Sequence, residues 1–390
     1  MRFQAIVIAI AFTLSAVSPI FSQNKSSAPS QAISTDLLDA YRKTQSVSTE
    51  AEVTAIARVC SKVVPDTKRS KADREYAASL LAWSLNRRGE MRSATAAEKV
   101  ETGNLQDADA LDAKALEDYK TAAEFAPSNW RVHHNWAISL AMKGQYKNAI
   151  DRLNTVIELK NDYANAYFNR GELNFELKQF PQAIRDYSRA IELTDNDPQY
   201  YNSRGHGRFM LESYEDAIVD YRRAVELGGD SAVYHTDLAD ALQFTGQWKE
   251  AADLYRRAVA INSQYARAYQ NAAWMMATCP DKKYRNTELA VSSAKKAIEL
   301  EPAPTMRAFD TLAAAYAATG KMPDAVKYQK RAIQLAAEGE RDEVRQRLAL
   351  YERGEAYVQP EFSDAPPVQI AETKPKVRTA SETGSTRKSR

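Results

Sequence analysis

Residues 164–197 read ANAYFNRGELNFELKQFPQAIRDYSRAIELTDND. Two apolar stripes at helical spacing run through this stretch. Tyr167, Arg170, Gly171 and Asn174 fall at i, i+3, i+4 and i+7 on the first, and Ala183, Tyr187, Ala190 and Leu193 share the second. Lys178-Gln179-Phe180 lies between them, short enough to turn one helix antiparallel to the next. A single hairpin of this kind cannot bury its own stripe, so such units must stack.

The sequence supplies the stack. Ala115, Ala149, Ala183, Ala217 and Ala251 recur 34 residues apart. Ala122, Val156, Ala190, Ala224 and Ala258 repeat the same beat, as do Phe125, Leu159, Leu193, Leu227 and Ile261. Small residues also hold the eighth position of successive units: Ala137, Gly171, Gly205, Ala239, Ala273 and Ala313. That is where paired helices cross, and large side chains there would push the axes beyond ~8–10 Å. The pattern predicts an all-α chain, a right-handed α-solenoid of about seven helix-turn-helix units. Alanine, leucine and charged residues dominate, and only 13 glycines occur in 390 residues, which agrees with helices rather than a turn-rich sheet protein.

The columns in register, Tyr167-Phe-Asn-Arg-Gly171 followed by Phe180, Ala183, Tyr187, Ala190 and Leu193, resemble a tetratricopeptide repeat. Clear units begin near Arg131, Ala164, Pro198 and Ala232. The proline that closes units of this family is replaced by Asn161, Asp195, Gly229 and Ser263, and returns as Pro127 and Pro302. Asn, Asp, Gly and Ser can also stop a helix. The resemblance implies a non-catalytic array whose first helices line a concave groove.

The expected organisation is a signal peptide at 1–22, a linker and helical segment at 23–70, and atypical repeats at 71–129. Four regular units follow at 130–265, two irregular units at 266–338, a capping helix at 339–358 and a disordered tail at 359–390. Tyr76, Ser79, Leu80 and Trp83 with Arg88-Gly89 suggest an atypical opening pair; Met91–Ala115 is helix-prone without an assigned partner. After Ala251 the next alanine of its column is Ala290, a step of 39, and the extra residues fall in 277–285 around Pro280. Arg2 followed by the apolar run Ala5–Val17 and small residues near Ser22 reads as an export signal, making the protein periplasmic or secreted. An uncleaved segment would instead tether it to a membrane.

Charge is almost balanced, with 53 Lys and Arg against 51 Asp and Glu. That argues against a sequence-independent nucleic-acid binder, and no nucleic acid is expected. The two cysteines, Cys60 and Cys279, make no disulfide framework. His133 and His134 point about 100° apart on a helix and do not suit one metal. No HExxH, CxxC, phosphate-binding loop or nucleophile elbow occurs, so no catalytic residue, metal or cofactor is assigned.

The concave face carries the functional expectation. The sixth position of the units reads Asn135, Asn169, Ser203, Asp237 and Asn271, polar rungs able to pair with a peptide backbone. Arg131, Asn165, Phe168, His206, Arg267 and Trp274 are placed in the same groove. The lysine–asparagine pairs of carboxylate-clamp arrays are absent; His134-Asn135, Phe168-Asn169 and Gln270-Asn271 stand there. The sequence thus points to a scaffold or adaptor holding a protein or peptide partner. The alternatives are an envelope assembly protein using its convex face or tail, and an enzyme with a site near 276–286. The oligomeric state is left open.

Overall fold

The computed structural model describes residues 33–360. The export segment at 1–22 and all but the first two residues of the tail at 359–390 lie outside them. Among the described residues are 17 α-helices and no strand, wound into an α-solenoid. Helices α1 (Thr35–Thr44) and α2 (Glu50–Val63) precede seven antiparallel pairs. The pairs are α3 (Lys71–Glu101) with α4 (Leu105–Phe125), α5 (Trp130–Met142) with α6 (Tyr146–Leu159), and α7 (Ala164–Glu176) with α8 (Phe180–Leu193). Then come α9 (Pro198–Met210) with α10 (Tyr214–Leu227), α11 (Ala232–Phe244) with α12 (Trp248–Ile261), α13 (Ala266–Thr278) with α14 (Thr287–Leu300), and α15 (Met306–Ala318) with α16 (Met322–Leu335). A last helix, α17 (Arg341–Glu352), packs on α16.

The alanine columns explain the close stacking. Ala115, Ala149, Ala183, Ala217 and Ala251 are all fully buried, and so are Ala122, Val156, Ala190, Ala224 and Ala258. The third column does not share this burial, since Leu159 at its helix end is 40% exposed. At the crossing of α7 and α8, a Cβ on Gly171 would lie 2.7 Å from the Tyr187 ring; at Gly205 the Tyr221 ring would be equally near. Six of the seven hairpins turn through one left-handed residue, the exception being α13–α14. Gly144, Lys178, Glu212 and Gly246 have φ of 70°, 58°, 61° and 75° and repeat the 34-residue beat. Around Lys178, its own N–H donates to the Phe175 carbonyl and that of Gln179 to Asn174, so the last carbonyls of α7 are satisfied.

Arginine at the seventh position rivets three of the pairs. Arg170 grips Asp186 through Nε (3.0 Å) and Nη2 (2.6 Å) and reaches back to Asn154 of the preceding unit at 2.7 Å. Arg204 does the same with Asp220 and Ser188. Arg88 grips Asp118 in the same way, and Gly89 meets Tyr119 as Gly171 meets Tyr187. The Arg-Gly…Asp-Tyr signature therefore places α3 and α4 in the repeat. Its two halves are 30 residues apart there and 16 in the regular units, so each long helix extends past the crossing. The opening stretch 71–129 is thus one elongated hairpin, with Arg88-Gly89 inside α3.

Candidate functional site

The first helices of the later pairs turn one face inward. With α17, the inner faces of α7, α9, α11, α13 and α15 enclose an open channel of about 1630 Å³. Aromatic side chains form one part of its wall. Phe209, Tyr214 and Phe244 pack with ring centres 5.0–5.5 Å apart, and Phe244 stays half exposed. Carboxylates dominate the charged lining, which includes Glu172, Glu176, Glu212, Glu215, Asp237, Asp240 and Asp310 against Arg267, Arg307 and Arg347.

An ionic knot ties the middle of the channel. Asp237 is fully buried and receives Arg267 Nη1 at 2.7 Å, His206 Nε2 at 3.2 Å and Asn202 Nδ2 at 3.1 Å. Burial alone would raise this carboxyl, but the attraction of His206 and Arg267 wins and holds it well below the usual carboxylate range. Arg267 also pairs with Asp240, which accepts from Asn271 at 2.7 Å and from Tyr255 Oη at 2.7 Å. Tyr221 Oη lies 2.9 Å from His206 Nδ1, and the other ring nitrogen, Nε2, faces Asn202 Nδ2 at 3.1 Å as well as Asp237. On α7, Glu172 accepts from Tyr187 Oη at 2.7 Å, and burial pushes its carboxyl upward.

The far end is closed by α17. Asp310 receives Arg347 Nε at 2.9 Å and Gln329 Nε2 at 2.7 Å. The Arg347 guanidinium stands 5.5 Å from the ring centres of both Trp274 and Tyr357. Burial raises the Asp310 carboxyl despite this partner. Among the described residues no group of three or more His, Cys, Asp or Glu is arranged to hold a metal. No described helix is long and apolar enough to cross a membrane.

Three family profiles match this chain: a TPR repeat over residues 139–178, and tetratricopeptide repeats over 164–197 and 305–338. The chain is a tetratricopeptide-repeat protein. Its fold is similar to that of a tetratricopeptide repeat protein from Parabacteroides merdae, with TM-score 0.50 and 17% identity, covering 68% of this chain and 98% of that one. YrrB, described as a TPR protein with an unusual peptide-binding site, aligns at 22% identity and TM-score 0.42 over 50% of this chain and 96% of its own. Yeast Tom70 aligns at 16% identity and TM-score 0.43 over 90% of this chain and 72% of its own. No curated protein matches the chain.

In this tetratricopeptide-repeat protein the channel brings together Ser203, His206, Asp237, Arg267, Asn271 and Trp274 of the residues expected in the groove. The others lie elsewhere. Arg131 is exposed, its guanidinium 4.4 Å from the Trp130 ring centre. Phe168 is a core residue, buried against Tyr187 and Tyr200. Asn165 accepts a hydrogen bond from Tyr200 Oη. Asn169 is buried, its Nδ2 3.1 Å from His134 Nε2, and burial pushes that imidazole's pKa down to about 4. Asn135 donates to Asn86 at 3.1 Å and Glu90 at 3.0 Å on α3.

This corrects the expectation that the sixth-position column is free for a ligand backbone. Its side chains bond from one unit to the next instead. Contacts Glu90–Asn135, His134–Asn169, Asn165–Tyr200, Asn202–Asp237 and Asp240–Asn271 form a polar ladder along the inner edge. Between α13 and α15 no side-chain hydrogen bond or ion pair occurs among the described residues; Ala277, Ala314 and Ala315 pack there in one cluster with Trp274. The residues missed from sequence are Asn202, Asp240, Asp310, Arg347, Tyr357 and Gln359. Only Asn202 and Asp240 carried a signal, as polar residues near the scanned column.

Proposed function

We propose that this protein is a non-catalytic interaction scaffold that holds an extended segment of a partner protein along the channel between α9 and α15. Tetratricopeptide arrays generally serve as protein-binding surfaces, which supports this coarse role. The observation that carries the finer reading is the wall itself. It combines an aromatic group, half-exposed Phe244 on partly buried Phe209 and Tyr214, with an excess of carboxylates, on units tied together by Asp237 and Arg267. Such a wall suits a partner segment with apolar and basic side chains, and its affinity falls as salt rises. The basic-then-apolar N-terminus supports an exported location; N-terminal sequencing of the mature chain should then start within a few residues of Ser22.

The test is affinity purification from cells with three full-length baits: natural, channel variant Phe244→Ala/Gln270→Ala, and convex variant Glu192→Ala/Arg223→Ala. Glu192 and Arg223 sit in exposed pairs with Arg189 and Glu226 on second helices. The channel variant should lose the partner and the convex variant keep it. The opposite pattern would transfer the role to the convex face and an assembly function.

A further inference from the structure

The chain leaves α17 through Gly354, whose φ is 80°, and runs back beside the channel. Its side chains then alternate. Tyr357 and Gln359 are partly buried, whereas Ala356, Val358 and Pro360 are exposed. That is the period of an extended strand, with every second residue facing the protein. Tyr357 packs against Trp274, ring centres 5.7 Å apart, with the Arg347 guanidinium over both rings. The Gln359 N–H donates to the Thr278 carbonyl at 2.9 Å. The Gln359 Oε1 accepts from Thr278 Oγ1 at 3.1 Å and from Gln243 Nε2 at 3.4 Å.

The Thr278 carbonyl is available for a physical reason. A helix leaves its last carbonyls without intrahelical partners. The insertion after Thr278 begins Cys279-Pro280 and turns into a short 3₁₀ segment, Lys282–Tyr284, so α13 does not continue to cover that oxygen. One main-chain acceptor flanked by two side-chain pockets is what an extended peptide needs for both affinity and register.

We propose that the α11–α13 wall is a peptide subsite for an extended segment bearing an aromatic residue two positions before a glutamine. The chain's own Tyr357–Gln359 fills it in cis, and a partner segment of the same chemistry displaces it. This deepens the scaffold reading and rests on it for the displacement step; the subsite itself stands on the contacts of Tyr357 and Gln359.

The probe is a fluorescein-labelled peptide GEAYVQPEF, the sequence of residues 354–362. Its binding is followed by anisotropy to the full-length natural chain and to full-length Tyr357→Ala/Gln359→Ala, in which the cis occupant is disabled. A tethered segment competes at an effective concentration on the order of 1 mM. For an intrinsic Kd on the order of 100 μM the natural chain is then masked about tenfold, and the opened variant should bind about ten times more tightly. A peptide with alanine at its tyrosine and glutamine should not bind. Adding Trp274→Ala or, as a milder change, Thr278→Val to the opened variant should weaken binding at least fivefold. Equal affinity for natural and opened chains, or no saturable binding to the opened chain, overturns the proposal. Peptide binding without partner capture would instead retain the subsite and reject the scaffold reading.

Discussion

Gly171→Ala pits two well-known effects against each other. In an unconstrained helix interior the change stabilises by about 1 kcal/mol, because glycine loses more backbone entropy and alanine is the better helix former. In α7 the new methyl would sit 2.7 and 2.8 Å from two Tyr187 ring carbons and 3.3 Å from the Ala183 carbonyl. The ring has little freedom to retreat. It is almost fully buried, packs against Phe168 and donates its hydroxyl to Glu172. Overpacking of this kind costs ~1–3 kcal/mol. The clash should therefore offset or exceed the helix gain and leave a net loss of up to about 2 kcal/mol. A neighbouring unit suggests the compensation: Ala137 and Leu153, at the equivalent positions, are both fully buried in one cluster. In a Tyr187→Leu background Gly171→Ala should become neutral or favourable, a coupling of ~1–2 kcal/mol in a double-mutant cycle. Urea titration gives the energies. Hydrogen exchange at α7 and α8 tests whether the loss is local, which matters because repeat arrays can unfold unit by unit. A gain of about 1 kcal/mol in both backgrounds would show that the crossing is not tight and refute the reasoning.

Three further outcomes are expected. Replacing Asn135, Asn169 and Asn271 together with alanine should lower stability by roughly 2–4 kcal/mol, since each bonds to a neighbouring unit; an unchanged urea midpoint would show those bonds to be idle. His134, with a native pKa near 4 against about 6.5 when unfolded, binds a proton in the unfolded chain first, so its contribution is complete above pH 6.5 and declines toward pH 4. That decline amounts to about 3 kcal/mol, and His134→Gln should flatten the pH dependence measured by urea titration across this window. Lys178→Gly should gain up to ~1 kcal/mol by relieving a left-handed residue at φ 58°, less the entropy glycine adds to the unfolded chain; a measurable loss would contradict this.

The stack was legible because its causes are local and periodic. Ala183, Ala217 and Gly171 each report a close helix approach at a fixed spacing, and the contacts follow from that spacing. The first helix of the opening hairpin was not legible by period, since the longer helices move Arg88-Gly89 off the beat while Asp118-Tyr119 stay on it with Ala115 and Ala122. The Arg-Gly and Asp-Tyr dipeptides were the surviving signal. The site was half legible. A helical wheel places Asn169 and Asp237 on the concave side, but it does not show that the adjacent unit's His134 or Asn202 takes up their hydrogen bonds. Tyr357 and Gln359 lie in a stretch without helical periodicity, and their role follows only from the return of the chain past Trp274 and Thr278.

The inner ladder also has a mechanical side. A coil laced along its inner edge by directional bonds resists being straightened, because straightening stretches every rung. Such a body behaves like a strung bow. The string is missing at one place, between α13 and α15, where alanines meet. There the close helix approach that alanines allow takes over from the rungs, beside the wall that Tyr357 and Gln359 cover.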